Sequence, residues 1–271
     1  MELNRTASAG VRLLRAPLWA GLDGLWHGFS TRLGGVSLAY SSKWVGELNL
    51  GLTAADDPDN VQQNRRLLAE AATGSAETPM RTVRQVHSAV SAVVGAGADW
   101  QAPEADGLMT AERGVLLAIQ TADCIPVLVA DRGGRAVAAF HAGWRGTVAG
   151  IVEAGVAQMV AEFGCEPGDL TAAIGPGIGA CCYQVGDEVW QRFADRFEYA
   201  AELFTPVPGA AGDQRKLDLT EANRRQLVAA GVPAEAIALV GGCTSCHPEI
   251  YFSHRAEKGH AGRMMSVIGL R

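Results

Sequence analysis

The alternation of apolar and polar positions is clearest from residue 114 to 144, "GVLLAIQTADCIPVLVADRGGRAVAAFHAGW". Its apolar runs, parted by the turn-forming "DRGGR", predict two to three strands with a hairpin at that turn. Upstream, "DDPDNVQQNRRLLAEAATG" has helical spacing, with Asp57 as cap, Pro58 in the first turn and Gly74 as stop. Downstream, "GTVAGIVEAGVAQMVAEFG" predicts a helix from about Thr147 to Phe163, ended by Gly164. "IGPGIGACCYQVG" is too glycine-rich for a long element and reads as strand plus loop. "DLTEANRRQLVAAGV" predicts a helix with Asp218 or Thr220 at its N-cap and Gly231 at its C-cap, and "RMMSVIGL" a closing strand. Strands mixed with helices, and at least one hairpin, predict an α/β (α+β-like) fold with a mixed sheet. No repeat, low-complexity tract or linker divides the chain, so residues 1–271 are expected to form a single domain.

Composition narrows the function. The chain is 48% hydrophobic and 19% charged with a net charge of −6, and its Lys and Arg residues are scattered. Nothing there supports a nucleic-acid partner. No uncharged apolar run approaches the roughly 18 residues of a membrane span. "MELNRTASAGVRLLRAP" lacks the apolar core of a signal peptide, so cytoplasmic residence is expected. Six cysteines are too few for a disulfide scaffold. In a reducing compartment they act as buried thiols, metal ligands or nucleophiles.

The most conspicuous chemistry is "CTSCH", in which Cys243, Cys246 and His247 have the spacing of haem attachment, half a zinc site or a redox pair. With no export signal, no second C-x-x-C and no thioredoxin-like context, these three residues are read as structural. Cys181 and Cys182 are read as buried thiols, and "GPGIG" lacks the spacing of a dinucleotide fingerprint. Attention moves to Cys124 and His141. A turn centred on Gly133 would set them opposite each other at the open end of the hairpin, with Cβ atoms roughly 5 Å apart. Such a pair would share a metal or form a thiolate–imidazole couple, or be a small core thiol beside a satisfied core imidazole. His87, ending "RTVRQVH", would complete a three-ligand set with one position open on zinc, but spacing alone does not bring it near.

Several motifs occur together: "HGFSTRLGGVS", "LNLGL" with "DDPDNVQQNRR", "RQVHSA", "ADGLMT", "TADCIPVLVAD", "HAGWRGTVAGI", "AAIGPGIGACCYQVG", "FSHR" and a late "GR". From about residue 26 to 270 the chain resembles the bacterial laccase-domain family. That family was long labelled polyphenol oxidase, is now regarded as purine nucleoside phosphorylase, and includes a proposed peptidoglycan editing factor. The resemblance implies metal ligands at His87, Cys124 and His141. It also implies layered mixed sheets flanked by helices, similar to cysteine-dependent toxin hydrolases.

The resemblance implies zinc-dependent phosphorolysis of adenosine, inosine or guanosine to free base and ribose 1-phosphate, together with methylthioadenosine cleavage and adenosine deamination. Asp123 is a candidate to orient a metal ligand, or else caps a strand end. Arg32, Arg65, Arg145 and Arg255 are the candidate phosphate ligands, because guanidinium forks suit phosphate oxygens. Ser30 and Asn49 are candidates for ribose or phosphate, or for turn roles. Two alternatives stand beside this reading. A copper polyphenol oxidase would use the same ligands, although the six histidines contain no His-x-His motif. A Cys/His hydrolase acting in peptidoglycan-precursor editing would use Cys124 as nucleophile and His141 as base.

Overall fold

The central strands are apolar on both faces, so each sheet they form must be covered twice. The computed structural model describes residues 10–40, 46–95, 97, 99–207 and 214–271; the first nine residues, where the signal-peptide reading begins, lie outside them. A five-stranded sheet runs in the order Leu13–Leu14, Leu25–Ser30, Met264–Leu270, Leu116–Thr121, Met80–Arg81. A six-stranded sheet runs Ile237–Leu239, Leu170–Ile174, Ile125–Asp131, Val137–Ala142, Gly107–Thr110, Ser91–Val93. Each contains parallel and antiparallel pairs. Period-two alternation assigns the faces. Leu117, Ile119, Leu128 and Ala139 fill the space between the sheets. Leu116 and Ala118 face outward onto the helix Pro58–Thr73, while Ile125, Val127 and Phe140 face the helices Ile151–Phe163 and Leu219–Ala229. The result is an α/β fold of layered mixed sheets flanked by helices, as expected.

Local signals held where one residue carries them. Asp57 caps Pro58–Thr73 by accepting from the Asp59 amide, and Gly74 ends that helix in the left-handed conformation at φ 88°. Asp218, not Thr220, caps Leu219–Ala229. Two expectations are corrected. The helix expected from about Thr147 to Phe163 is split into Trp144–Val148 and Ile151–Phe163, because Gly150 sits at φ 80°. The hairpin turn is centred between Gly133 and Gly134, so Pro126 rather than Cys124 lies opposite His141. Cys124 lies beyond the paired residues.

Cys124 reaches His141 by another route. Leu116–Thr121 belongs to one sheet and Ile125–Asp131 to the other, so the chain crosses between layers in the three residues Ala122, Asp123 and Cys124. Asp123 takes φ 90°, which short polar side chains tolerate better than most. The corner leaves the thiol half-buried, beside His87 and His141.

Candidate active site

Three donor atoms, from His87, Cys124 and His141, lie within 4.8 Å of one another, and Cys124 Sγ is 3.9 Å from His87 Nε2. The His87 and His141 rings meet edge-on, with centroids 4.9 Å apart. His141 is supplied by the strand Val137–Ala142, Cys124 by the corner between sheets, and His87 by a loop residue held at φ 61°. Gly143 makes room for them: a Cβ there would lie 2.9 Å from His87 Cδ2 and 3.1 Å from Cys124 Sγ. Any side chain at that position would press on two of the three donors.

Both histidines are held by one buried carboxylate. Asp106 Oδ1 accepts from His141 Nδ1 at 2.8 Å and from the His87 amide at 3.0 Å. Its Oδ2 accepts from the Val86 and Ser88 amides and from the Ser88 hydroxyl. Burial opposes its charge, but these hydrogen bonds and the nearby imidazole hold the carboxyl well below its usual range. Asp123, the sequence candidate for orienting a ligand or else capping the strand end, does not touch either imidazole. Asp123 Oδ1 accepts from the Thr244 hydroxyl at 2.6 Å and its Oδ2 from the Arg255 amide at 2.7 Å. Asp106 stood within the quoted "ADGLMT", but nothing in that string linked it to an imidazole. The link comes from the neighbouring strands Gly107–Thr110 and Val137–Ala142, which bring the two residues side by side.

The same geometry tunes the thiol. Burial disfavours ionisation of Cys124, but the adjoining His141 and His87 overcome it and hold the thiol below its ordinary range. Burial likewise disfavours the His141 cation, yet the Cys124 thiolate and Asp106 raise it above the ordinary histidine value. A thiolate and two imidazoles, one with its Nδ1 engaged by a carboxylate, form a donor set that fits a divalent metal with one position open.

The cluster lies on a cavity of about 710 Å³. Of the four candidate arginines Arg145 and Arg255 line it, and so do Arg263, His254, Tyr183 and Gln120, which sequence reasoning did not single out. Arg145 packs over the Trp144 ring at 4.3 Å, and Arg255 donates to the Gln184 carbonyl at 3.1 Å. The other two arginines are elsewhere. Arg32 is buried against Glu47, Glu257, the Pro248 carbonyl and the Phe252 ring. Arg65 donates to the Leu50 carbonyl at 3.0 Å, away from the cavity. Ser30 and Asn49 are likewise buried, accepting from the Met265 and Arg263 amides. Arg32, Ser30 and Asn49 are buried, and Arg65 is engaged by a carbonyl from its place in the helix Pro58–Thr73.

The family described as multi-copper polyphenol oxidoreductase laccase matches residues 26–271. The chain belongs to this family. The purine nucleoside phosphorylase of Deinococcus radiodurans is 42% identical over 96% of this chain and 94% of its own length. Purine nucleoside phosphorylase YlmD of Geobacillus stearothermophilus is 40% identical over 90% of this chain and 89% of its own. The crystal structure of YlmD from the same organism superposes with a TM-score of 0.83 at 37% identity, covering 98% of each chain. Among the described residues, no helix is long and apolar enough to cross a membrane.

Proposed function

We propose that this chain is a purine nucleoside phosphorylase that uses zinc held by His87, Cys124 and His141. The single observation that carries the reading is a three-donor cluster on the wall of a cavity that also presents Arg145, Arg255 and Arg263. The names of its relatives agree with it. Adenosine, inosine or guanosine and phosphate are the proposed substrates, with methylthioadenosine cleavage and adenosine deamination as further activities of the same site. Zinc in this set would supply Lewis-acid polarisation of a purine atom or a water molecule. The protein's own groups do the rest. The three guanidinium groups gather and orient phosphate by charge-assisted hydrogen bonds. A phosphate oxygen attacks the ribose C1′, the bond to the purine breaks with its electron pair leaving on the base, and the proton that the hydrogen phosphate gives up neutralises the base. Asp106 keeps the proton on His141 Nδ1, leaving Nε2 for the metal. The six free cysteines are consistent with a reducing, cytoplasmic setting.

The test is liquid chromatography of adenosine, inosine and guanosine incubated with zinc-loaded protein, with and without phosphate. Base release that requires phosphate and disappears in Cys124→Ala is expected; zinc-loaded protein that releases no base overturns the reading. A second reading draws on the Cys124–His141–Asp106 alignment, which has the order of a nucleophile, a base and an orienting carboxylate. As a hydrolase the protein would lose activity to thiol alkylation and keep it with a chelator. Copper in place of zinc at the same ligands would be read directly by metal analysis of protein from unsupplemented cells.

A further inference from the structure

A second donor cluster lies outside the triad. Cys181, Cys182, Cys243 and Cys246, dismissed from sequence as buried thiols and a lone C-x-x-C, have sulfur atoms all within 4.8 Å of one another. The second pair that the C-x-x-C lacked is the adjacent pair Cys181–Cys182. Their meeting follows from topology. Leu170–Ile174 and Ile237–Leu239 are parallel neighbours, so the loops after them leave the same edge of the sheet. Those loops are "GPGIGACC" and "VGGCTSC". They stay paired beyond the strands, where Gly177 and Cys243 form a bridge and the Thr244 amide donates to the Gly177 carbonyl at 2.9 Å.

We propose that these four cysteines form a tetrahedral thiolate site for one zinc ion, separate from the catalytic cluster, that clamps the two loops together. Cys246 Sγ lies 3.4 Å from Cys181 Sγ and 3.3 Å from Cys182 Sγ. The edge of a zinc–sulfur tetrahedron with bonds near 2.3 Å is about 3.8 Å, so small side-chain rotations close the shell. The Gly179 amide donates to Cys243 Sγ at 3.2 Å, the kind of hydrogen bond that steadies a ligating thiolate. A Cβ at Gly179 would also crowd two of the cysteines, lying 3.2 Å from Cys243 Cβ and 3.3 Å from Cys181 Sγ. Four soft thiolates select zinc over the hard cations, and four protein ligands leave no position for substrate. Cys181 and Cys246 are exposed, which gives the ion a way in. His247 is not needed, and its Nδ1 faces Glu249.

The clamp braces the cavity wall. Ile178 and Tyr183, flanking the first cysteine pair, line the cavity. Thr244, between the second pair, holds Asp123 beside Cys124, and the Cys182 carbonyl accepts from Arg255.

The experiment is zinc analysis of purified full-length protein carrying His87→Ala and Cys124→Ala, which removes the other cluster. About one zinc per chain should remain, and adding Cys181→Ser and Cys246→Ser should remove it. Cobalt substituted into the background without the catalytic cluster should show an intense thiolate-to-metal charge-transfer band. No retained zinc, iron or copper in its place, or a mass showing disulfides among the four cysteines overturns the proposal. If the variants do not fold, thiol alkylation of the wild type decides. Cys181, Cys182, Cys243 and Cys246 should be protected until a chelator is added, and equal labelling with and without chelator overturns the clamp.

Discussion

The two donor clusters use the same element of chemistry, a thiolate beside other metal-binding atoms, in opposite ways. The first mixes one sulfur with two imidazoles, draws them from three separate parts of the fold, and secures both histidines on the buried Asp106. Its three donors face a cavity that presents arginines. The second has four sulfurs on two adjacent loops and is secured by backbone amides. Three donors with a rigid backing leave a coordination position for chemistry, whereas four donors fill the shell and leave only mechanical work. Donor count and backing, not the presence of cysteine, separate a reaction centre from a clamp.

The comparison breaks most sharply at Cys124. Cys124→Ala should reduce phosphate-dependent base release to background while the zinc of the four-cysteine site persists, as chromatography and metal analysis together would show. Retained turnover would remove the first cluster from the chemistry. Asp106→Asn comes next. An amide in that place presents an N–H to groups that already donate, so kcat/KM should fall about 10- to 100-fold. Unchanged kinetics would mean that the carboxylate backing is irrelevant. The double variant Cys181→Ser, Cys246→Ser should behave differently, lowering Tm by about 5–10 °C for a loss of about 2–3 kcal/mol. Its KM for phosphate should rise several-fold through Arg255 while kcat changes little; a collapse of kcat with unchanged Tm would reverse the roles given to the two clusters.

The smallest effect lies outside both clusters and sets a baseline for pH. His27 is buried; desolvation first, and the nearby Arg15 second, lower its pKa from 6.5 to about 4. Its Nε2 accepts from the Ala16 amide, a bond that only the neutral ring can make. Below pH 6.5 the unfolded chain binds a proton that the folded chain refuses. Stability should therefore fall by on the order of 2 kcal/mol as pH drops from 6.5 to about 4. His27→Gln should flatten that part of a Tm-against-pH curve, and an unaltered slope would show that the loss belongs to other groups.

Legibility from sequence followed the range of the interaction. Helix ends were readable because Asp57, Asp218 and Gly74 act on amides or dihedrals within a few residues of themselves. Gly150 was overlooked inside an apolar helical pattern, although its left-handed conformation ends one helix and begins the next. The ligand triad was named from motifs, but the register argument for Cys124 and His141 failed by two residues, since Pro126 pairs with His141. Their proximity comes from the crossover at Asp123 instead. Arg32 and Arg65 carried the right charge in the wrong place, since a guanidinium buried on Glu47 reads in sequence like one waiting for phosphate.

What the sequence by itself determined was the inventory. It supplied apolar strands needing cover on both faces, capped helices, a family pattern over most of the chain, and thiols and imidazoles suited to soft metals. Only the tertiary structure decided which of these meet. Asp106 reaches His141 across neighbouring strands, and Cys181 and Cys182 reach Cys243 and Cys246 through parallel strands far apart in the chain. Local rules act over one turn of backbone, whereas a donor set depends on strand order and loop direction, which no short stretch of residues encodes.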